Sequence, residues 1–142
     1  MEVLLLLNTI KKGLQNALNT YLDLVKIIIP VYILVTFLKY TGVIEIIADF
    51  FSPIMIYLGL PGEAMLALLT AYLLNMYAGL AVIASIDLGV KEITILGTMI
   101  GIAHSMIIES AVFKKINVNI FKINILRTVM SILAGFFLNL II

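Results

Sequence analysis

Long apolar stretches are the feature that most constrains this chain. They cover residues 24–38, 64–86, 93–113 and 123–142. A helix that crosses a bilayer needs about 20 mostly apolar residues, whereas a soluble domain needs a far larger share of charged surface. Only 12% of the 142 residues are charged, and 63% are hydrophobic. The sequence therefore predicts an all-α, polytopic membrane helical bundle and excludes a disulfide scaffold, a nucleic-acid binder and a disordered regulator.

Residue counts exclude several kinds of chemistry. The chain has no cysteine and one histidine, so disulfides, thiolate catalysis and a multi-histidine metal site within one chain are excluded. No nucleophile elbow, phosphate-binding loop or metal-ligand spacing is present. The net charge of +1 indicates no polyanionic partner such as nucleic acid. We therefore expect no enzyme activity, no cofactor and no metal site.

The first 22 residues differ in character from the rest of the chain. Apolar side chains can share one helix face: Leu6, Ile10, Leu14, Ala17, Leu18 and Tyr21. Polar side chains fall largely on the other face: Asn8, Lys11, Lys12, Gln15, Asn16 and Asn19. This pattern predicts an amphipathic interfacial helix over residues 1–22 and a transmembrane domain over residues 23–142. A helix packed on a soluble partner is the alternative.

Residues 43–58 leave the number of membrane segments open at four or five. They are apolar but short for a span, and they include Glu45, Asp49 and Pro53. A short tilted span, a re-entrant segment and an interfacial helix all fit. If they cross, the chain has five spans, and Lys11, Lys12 and the basic loop 114–122 lie on one side of the membrane. Because basic residues are more frequent on the cytoplasmic side, this arrangement predicts a cytoplasmic N-terminus. Four spans would remove this bias. Arg127 is expected to snorkel to the surface.

Residues 64–86 carry Asn75 near their centre and Gly79 four residues later. Asn75 could bind a neighbouring helix by a hydrogen bond. Alternatively, the helix could break near residues 75–79, because discontinuous helices at the midplane expose backbone groups to solutes in many transporters. In that case Tyr72 and Tyr77 would offer aromatic faces and hydroxyl groups.

Residues 93–113 carry polar groups where a membrane helix tolerates few. Gly97, Gly101, Ser105 and Glu109 recur every four residues and form one stripe that favours close helix packing. An ionisable group at a membrane centre costs roughly 3 kcal/mol or more, so such groups usually face a cavity or a partner. Snorkelling is the alternative for Glu109, and a hydrogen bond within the bundle is the alternative for His104. The candidate solute-binding residues are Asn75, Tyr77, Gly79, His104, Ser105 and Glu109.

The order of these landmarks resembles the Gate, or nucleoside-recognition, family. The matching pieces are Ile29-Pro30-Val31, Ser52-Pro53, residues 58–63, residues 75–79 and residues 103–109. Members include the membrane domain of the bacterial ferrous-iron transporter, spore maturation proteins A and B, and concentrative nucleoside transporters. The iron transporter has pore cysteines near the place of Asn75, which this cysteine-free chain lacks.

The resemblance implies a transporter-like domain that binds a small polar solute or ion at broken helices in the cytoplasmic membrane. It also implies paired, related halves, of which this chain supplies about one. A second copy, parallel or antiparallel, or a homologous subunit would supply the other. The alternative function is that of a non-transporting partner subunit or scaffold, similar to the spore-maturation members.

Overall fold

The fold, taken from a computed structural model, is described for the backbone of residues 2–142 and for side chains from Leu6 onwards. All regular structure in this part of the chain is helical, as the sequence predicts. The helices are α1 (Glu2–Tyr40), α2 (Val43–Met55), a 3₁₀ turn (Ile56–Leu58), α3 (Ala64–Leu73), α4 (Met76–Ile83), α5 (Val90–Ile102), α6 (Met106–Lys115) and α7 (Ile120–Ile141).

Three stretches are long and apolar enough to cross a membrane. They are Leu6–Tyr40, Val90–Lys115, which contains α5 and α6, and Ile120–Ile141. With α2 and the pair α3–α4, the chain has five apolar segments. The multi-pass membrane bundle is therefore confirmed, and two of its segments are too short to be simple spans.

The N-terminal helix runs without interruption from Glu2 to Tyr40. Its apolar face is not covered by the rest of the chain, since Leu6 is 64% and Leu14 is 72% exposed. That exposure fits contact with lipid or with another protein. The side chains of residues 1–5, which belong to the expected amphipathic segment, lie outside the described residues. The division of the chain at residue 22 stays a prediction.

Residues 43–58 form α2 and the 3₁₀ turn that follows it. Gly42 starts this helix in the left-handed region, at φ 77°. With 13 residues, α2 is about 20 Å long and does not reach across a hydrocarbon core of about 30 Å. It buries Ile44 and Met55 against the bundle. By its length, α2 is too short for a straight crossing, and its arrangement in the membrane stays a prediction.

Helices α3 and α4 form a hairpin rather than the single crossing expected for residues 64–86. Gly79 of α4 packs directly on Ala71 and Ala67 of α3, which a straight helix would hold far apart. Leu74 and Asn75 form the tip, where Asn75 has extended backbone at φ −162° and ψ 164°.

The two ends of the hairpin lie at the same end of the bundle. A cavity of about 430 Å³ is lined both by Leu60 and Pro61, which precede α3, and by Asp87 and Leu88, which follow α4. The end of α1 lies near this base, because Val35 and Ile44 pack with Ala67 and Val82. Residues 64–86 therefore return to the end of the bundle at which they start.

Helices α5 and α6 together run antiparallel to α7. Three contacts mark the pairing: Lys91 Nζ to the Asn139 carbonyl at 3.5 Å, Arg127 Nε to the Ile102 carbonyl at 3.0 Å, and Asn124 Nδ2 to Ser110 Oγ at 2.9 Å. The pair α5–α6 is thus one span interrupted at residues 103–105. Its interruption lies about 20 Å from its start, near the depth of the hairpin tip.

The core lies between α2, α3, α5 and α7. Its buried side chains include Met55, Leu68, Ile95, Leu96 and Met99. By contrast, a Cβ added at Gly97 or Gly101 would meet nothing within 4 Å in the described residues. Among the described residues, therefore, nothing packs closely on Gly101, and its face of α5 is exposed.

Candidate functional site

The two helix interruptions meet. The backbone N–H of Ser105, in the break between α5 and α6, donates to the carbonyl of Ala71 in the last turn of α3 at 2.9 Å. Helix ends in an apolar medium must find partners for their free backbone groups. Ser105 adopts a left-handed conformation at φ 53°, which is uncommon for a residue other than glycine. This bond joins the hairpin tip region to the broken span.

Asn75 caps the second arm of the hairpin. Its Oδ1 accepts a hydrogen bond from the backbone N–H of Ala78 at 2.9 Å, which is the usual role of an asparagine at a helix start. The side chain is half-buried. The hydrogen bond to Ala78 uses the side-chain oxygen and leaves the two N–H donors of the amide outside the helix cap.

The other two candidates on the hairpin lie in different environments. Tyr77 is in the first turn of α4 and is 37% exposed. Gly79 is buried, and a Cβ at this position would lie 2.5 Å from the Cβ of Ala71. Gly79 therefore allows the two arms to pack, as expected of a small residue, and it presents no group to a solute.

Arg127 of α7 reaches across to the break between α5 and α6. Its Nε donates to the Ile102 carbonyl at 3.0 Å, its Nη2 donates to the His104 carbonyl at 3.1 Å, and its Nη1 donates to Glu109. The side chain is only 17% exposed. A cation at the free carbonyls of a helix C-terminus is favourable, and the guanidinium fork serves several acceptors at once. The expected snorkelling of Arg127 to the surface does not occur.

Glu109 lies between two basic side chains. One oxygen pairs with Arg127, and the other is 3.7 Å from Nε2 of His104. Its place in the first turn of α6 is also favourable for an anion. Five residues apart on a continuous helix, His104 and Glu109 would not share a face, but the break brings them together. The structure thus places His104, Ser105 and Glu109 at one interruption, and Asn75, Tyr77 and Gly79 in the hairpin that contacts it.

A sequence profile of the Gate family, described as nucleoside recognition, matches residues 21–140. The chain belongs to the Gate family. A curated relative from Bacillus subtilis (strain 168), called uncharacterized membrane protein YvoD, is 39% identical over 129 residues. The match covers 91% of this chain but 41% of the relative, so this chain spans about two-fifths of that protein's length. No solved structure matches the chain.

Two features of this Gate chain were missed from the sequence. Arg127 is the lone charged residue of 123–142, and Glu109 is the lone acid of 93–142. One base and one acid in neighbouring apolar spans are a signal for an ion pair, because each is costly alone in a membrane. This signal could have identified Arg127.

The second missed feature is a chain of hydroxyl groups. Ser131 Oγ donates to the Met99 carbonyl at 2.9 Å, so the hydroxyl of Tyr72 must donate to Ser131. This contact ties α3 to α7 and α5. Tyr72 therefore directs its hydroxyl into the bundle. Isolated hydroxyl residues in apolar helices carry no sequence signal that pairs them.

Proposed function

We propose that this Gate-family chain is part of a membrane transporter that binds a small polar solute or ion where the hairpin tip meets the broken span. The observation that carries the proposal is the hydrogen bond from Ser105 to Ala71, which joins two helix interruptions inside the bundle. Irregular backbone at membrane depth is tolerated where it is buried in protein or lines a cavity. In transporters such interruptions supply the binding groups.

The charge balance supports a neutral solute. Glu109 and Arg127 cancel each other, and residues 64–83 contain no charged side chain or histidine. No group of three or more potential metal ligands occurs among the described residues. The remaining groups are the amide of Asn75, the ring of Tyr77 and the imidazole of His104. Since these suit a planar, hydroxyl-bearing molecule, and the family is described as nucleoside recognition, nucleosides are the first class to test.

The proposal includes a second protein half. The relative YvoD is far longer than this chain, which leaves room there for another half. Gly97 and Gly101 form an exposed small-residue face on α5 that would admit close approach of a partner helix. A second copy of this chain, parallel or antiparallel, or a homologous subunit would complete the site. The proposed location is the cytoplasmic membrane, and the proposed activity is not enzymatic.

The test is a ligand screen on the full chain in lipid nanodiscs. Thermal unfolding is measured with nucleosides, divalent cations and small organic ions, and flux of any stabilising compound is then measured in liposomes. The proposal expects stabilisation and flux by at least one polar solute. No response across the panel, together with no flux, would count decisively against transport.

A non-transporting partner subunit is the second candidate function. It is favoured by the fact that the charges of Arg127 and Glu109 are already satisfied inside the chain. In this case Asn75→Ala and His104→Ala would weaken assembly or stability without changing any ligand response. Native mass measurement of the assembly separates this outcome from the first.

A further inference from the structure

A further cavity separates part of α3 from α7, and we call it the lateral cleft. Its volume is about 430 Å³, and its walls come mainly from these two helices, while Met99 of α5 and Leu58 of the 3₁₀ turn contribute to the lining. In the described part of the chain, none of the six candidate solute-binding residues lines this space. The lateral cleft is therefore separate from the contact between the hairpin tip and the broken span.

The lateral cleft runs along α7 from the end of the bundle where the hairpin starts to the middle of the bundle. Met65, in the first turn of α3, and Phe136 of α7 line the first end, and Tyr72 and Thr128 line the deep end. Thr128 and Phe136 lie about 12 Å apart along α7. One leaflet supplies about half of a hydrocarbon core of about 30 Å. The cleft therefore matches an acyl chain of one leaflet in length and direction.

The polar groups at the deep end of the cleft already have partners within the chain. The hydroxyl of Tyr72 bonds to Ser131, and Oγ1 of Thr128 donates to the Asn124 carbonyl at 2.9 Å. The rest of the lining is apolar except for Tyr57, which is exposed at the other end. Water in a cavity needs two to four polar partners, and apolar cavities stay dry. The cleft therefore favours hydrocarbon over water or a polar solute.

The cleft is continuous with the outer surface of an apolar spanning helix. Ile132 and Leu133 of α7 line the cleft and are also exposed on the surface of the bundle, which is where membrane lipid lies. Over about 12 Å, the volume corresponds to a mean cross-section of about 36 Å², less than half of that of a helix about 10 Å in diameter. The cleft therefore admits an extended hydrocarbon chain from the bilayer, but it is too narrow for a partner helix.

We propose that the lateral cleft binds one acyl chain of a membrane phospholipid, with the chain end against Tyr72 and the headgroup beyond Tyr57. Tyrosine is enriched at the membrane–water interface, which suits the exposed Tyr57 at the headgroup end. The bound chain fills the space between α7 and α3, and α3 carries Ala71, the acceptor of the bond from Ser105. Lipid thereby supports the first arm of the hairpin. This site goes beyond the proposed function and does not depend on solute transport.

The absence of tryptophan from the chain allows a fluorescence test. Phe136→Trp places a single fluorophore in the cleft, and Phe137→Trp places one at the next position of α7, which is exposed but does not line the cleft. Phosphatidylcholine with brominated chains, which quench tryptophan on contact, is titrated into the full chain in detergent micelles. Quenching of Phe136→Trp should saturate at about one lipid per chain, and that of Phe137→Trp should rise only gradually. Equal curves for the two variants would overturn the proposal.

Substitutions that narrow the cleft then test where the lipid binds. Leu69→Phe acts from the α3 wall and Leu133→Phe from the α7 wall, and each, added to Phe136→Trp, should weaken lipid binding about tenfold. Leu126→Phe makes the same change at an exposed position of α7 outside the cleft and should leave binding unchanged. Thermal unfolding confirms that each variant is folded. Unchanged lipid affinity in both narrowed variants would overturn the proposal.

A measurement on the wild-type chain needs no variant. Native mass spectrometry of the full chain released from phosphatidylcholine nanodiscs should show one retained phospholipid per chain, and Leu69→Phe should lose it. Wild-type chain without retained phospholipid would overturn the proposal. If a second copy covers the cleft instead, Phe136→Trp should resist quenching by brominated lipid and become quenched only when the protein is diluted, and that result would also overturn it.

Discussion

Gly79 and Ala71 lie against each other at the centre of the helical hairpin. A Cβ placed on Gly79 would be 2.5 Å from the Cβ of Ala71 and 3.1 Å from the carbonyl oxygen of Ala67. Neither neighbour can move without shifting backbone. The approach of α4 to α3 therefore depends on the absence of a side chain at position 79.

Gly79→Ala should destabilise the fold by about 1–3 kcal/mol, because it overpacks a contact between two backbones. Gly101→Ala is the matched control, since a Cβ there meets nothing within 4 Å and alanine is the better helix former. Thermal unfolding in nanodiscs measures both. Equal stability of the two variants would contradict the hairpin packing, while loss of self-association in Gly101→Ala alone would show that this face binds a partner.

Arg127→Met should lower stability by about 1–3 kcal/mol, because two carbonyls and a carboxylate lose their donor together. Arg127→Lys should lose less stability than Arg127→Met, because the charge remains although a single ammonium replaces the three nitrogens of the guanidinium. Lys122→Met removes an exposed cation from the same helix and should stay within about 0.5 kcal/mol of wild type. Equal melting temperatures for Arg127→Met and Lys122→Met would contradict the inward position of Arg127.

The all-helical membrane fold could be predicted because apolar runs of this length have few other outcomes. The path of residues 64–86 could not be predicted, because this run is long enough to cross a membrane. Its hydrophobicity does not indicate whether the chain continues straight or turns back. The tip depends on Asn75 capping a new helix and on Gly79 fitting against Ala71. These are local preferences for a break, and only tertiary packing decides that the chain turns back.

The candidate site was predicted in part. Asn75, His104 and Glu109 stand out as polar residues in apolar runs, and a break near residues 75–79 was one of the two alternatives for Asn75. The interruption at residues 103–105 was not predicted. The contact between His104 and Glu109 did not follow from helical spacing, because the break changes which side chains meet. Arg127 was assigned to the surface, since its position near a helix start permits snorkelling as readily as an inward ion pair.

Tyr72→Phe should cost about 1 kcal/mol, since one buried hydroxyl contact to Ser131 is lost. Ser131→Ala should cost more, because it leaves both the Tyr72 hydroxyl and the Met99 carbonyl without their partner. Tyr57→Phe, at a tyrosine that is 68% exposed, is the control and should be neutral. A double-mutant cycle measures the coupling, and purely additive losses would show that the two hydroxyls do not interact.

The hairpin makes a prediction about sidedness that a straight crossing does not. Residues 63 and 87 should lie on the same side of the membrane, and residue 115 on the opposite side. Because the chain has no cysteine, Glu63→Cys, Asp87→Cys and Lys115→Cys can each be labelled singly with an impermeant maleimide in oriented vesicles. A straight crossing of residues 64–86 would instead place positions 63 and 87 on opposite sides.

Asn75 allows the capping role to be separated from solute binding. Asn75→Ala should cost about 1 kcal/mol, because the N–H of Ala78 loses its acceptor. Asn75→Ser keeps a capping oxygen and should retain most of the stability, but it lacks the amide donors and should bind a responding solute about tenfold more weakly.

Asn119 is the matched control for these two variants. It caps α7 in the same way, through the N–H of Lys122 at 3.1 Å, and it lies outside the candidate site. Asn119→Ala should therefore lose similar stability to Asn75→Ala while keeping its solute response. If Asn75→Ser binds solute as tightly as wild type, Asn75 acts only as a helix cap, and the binding groups must come from the break at His104 and Ser105.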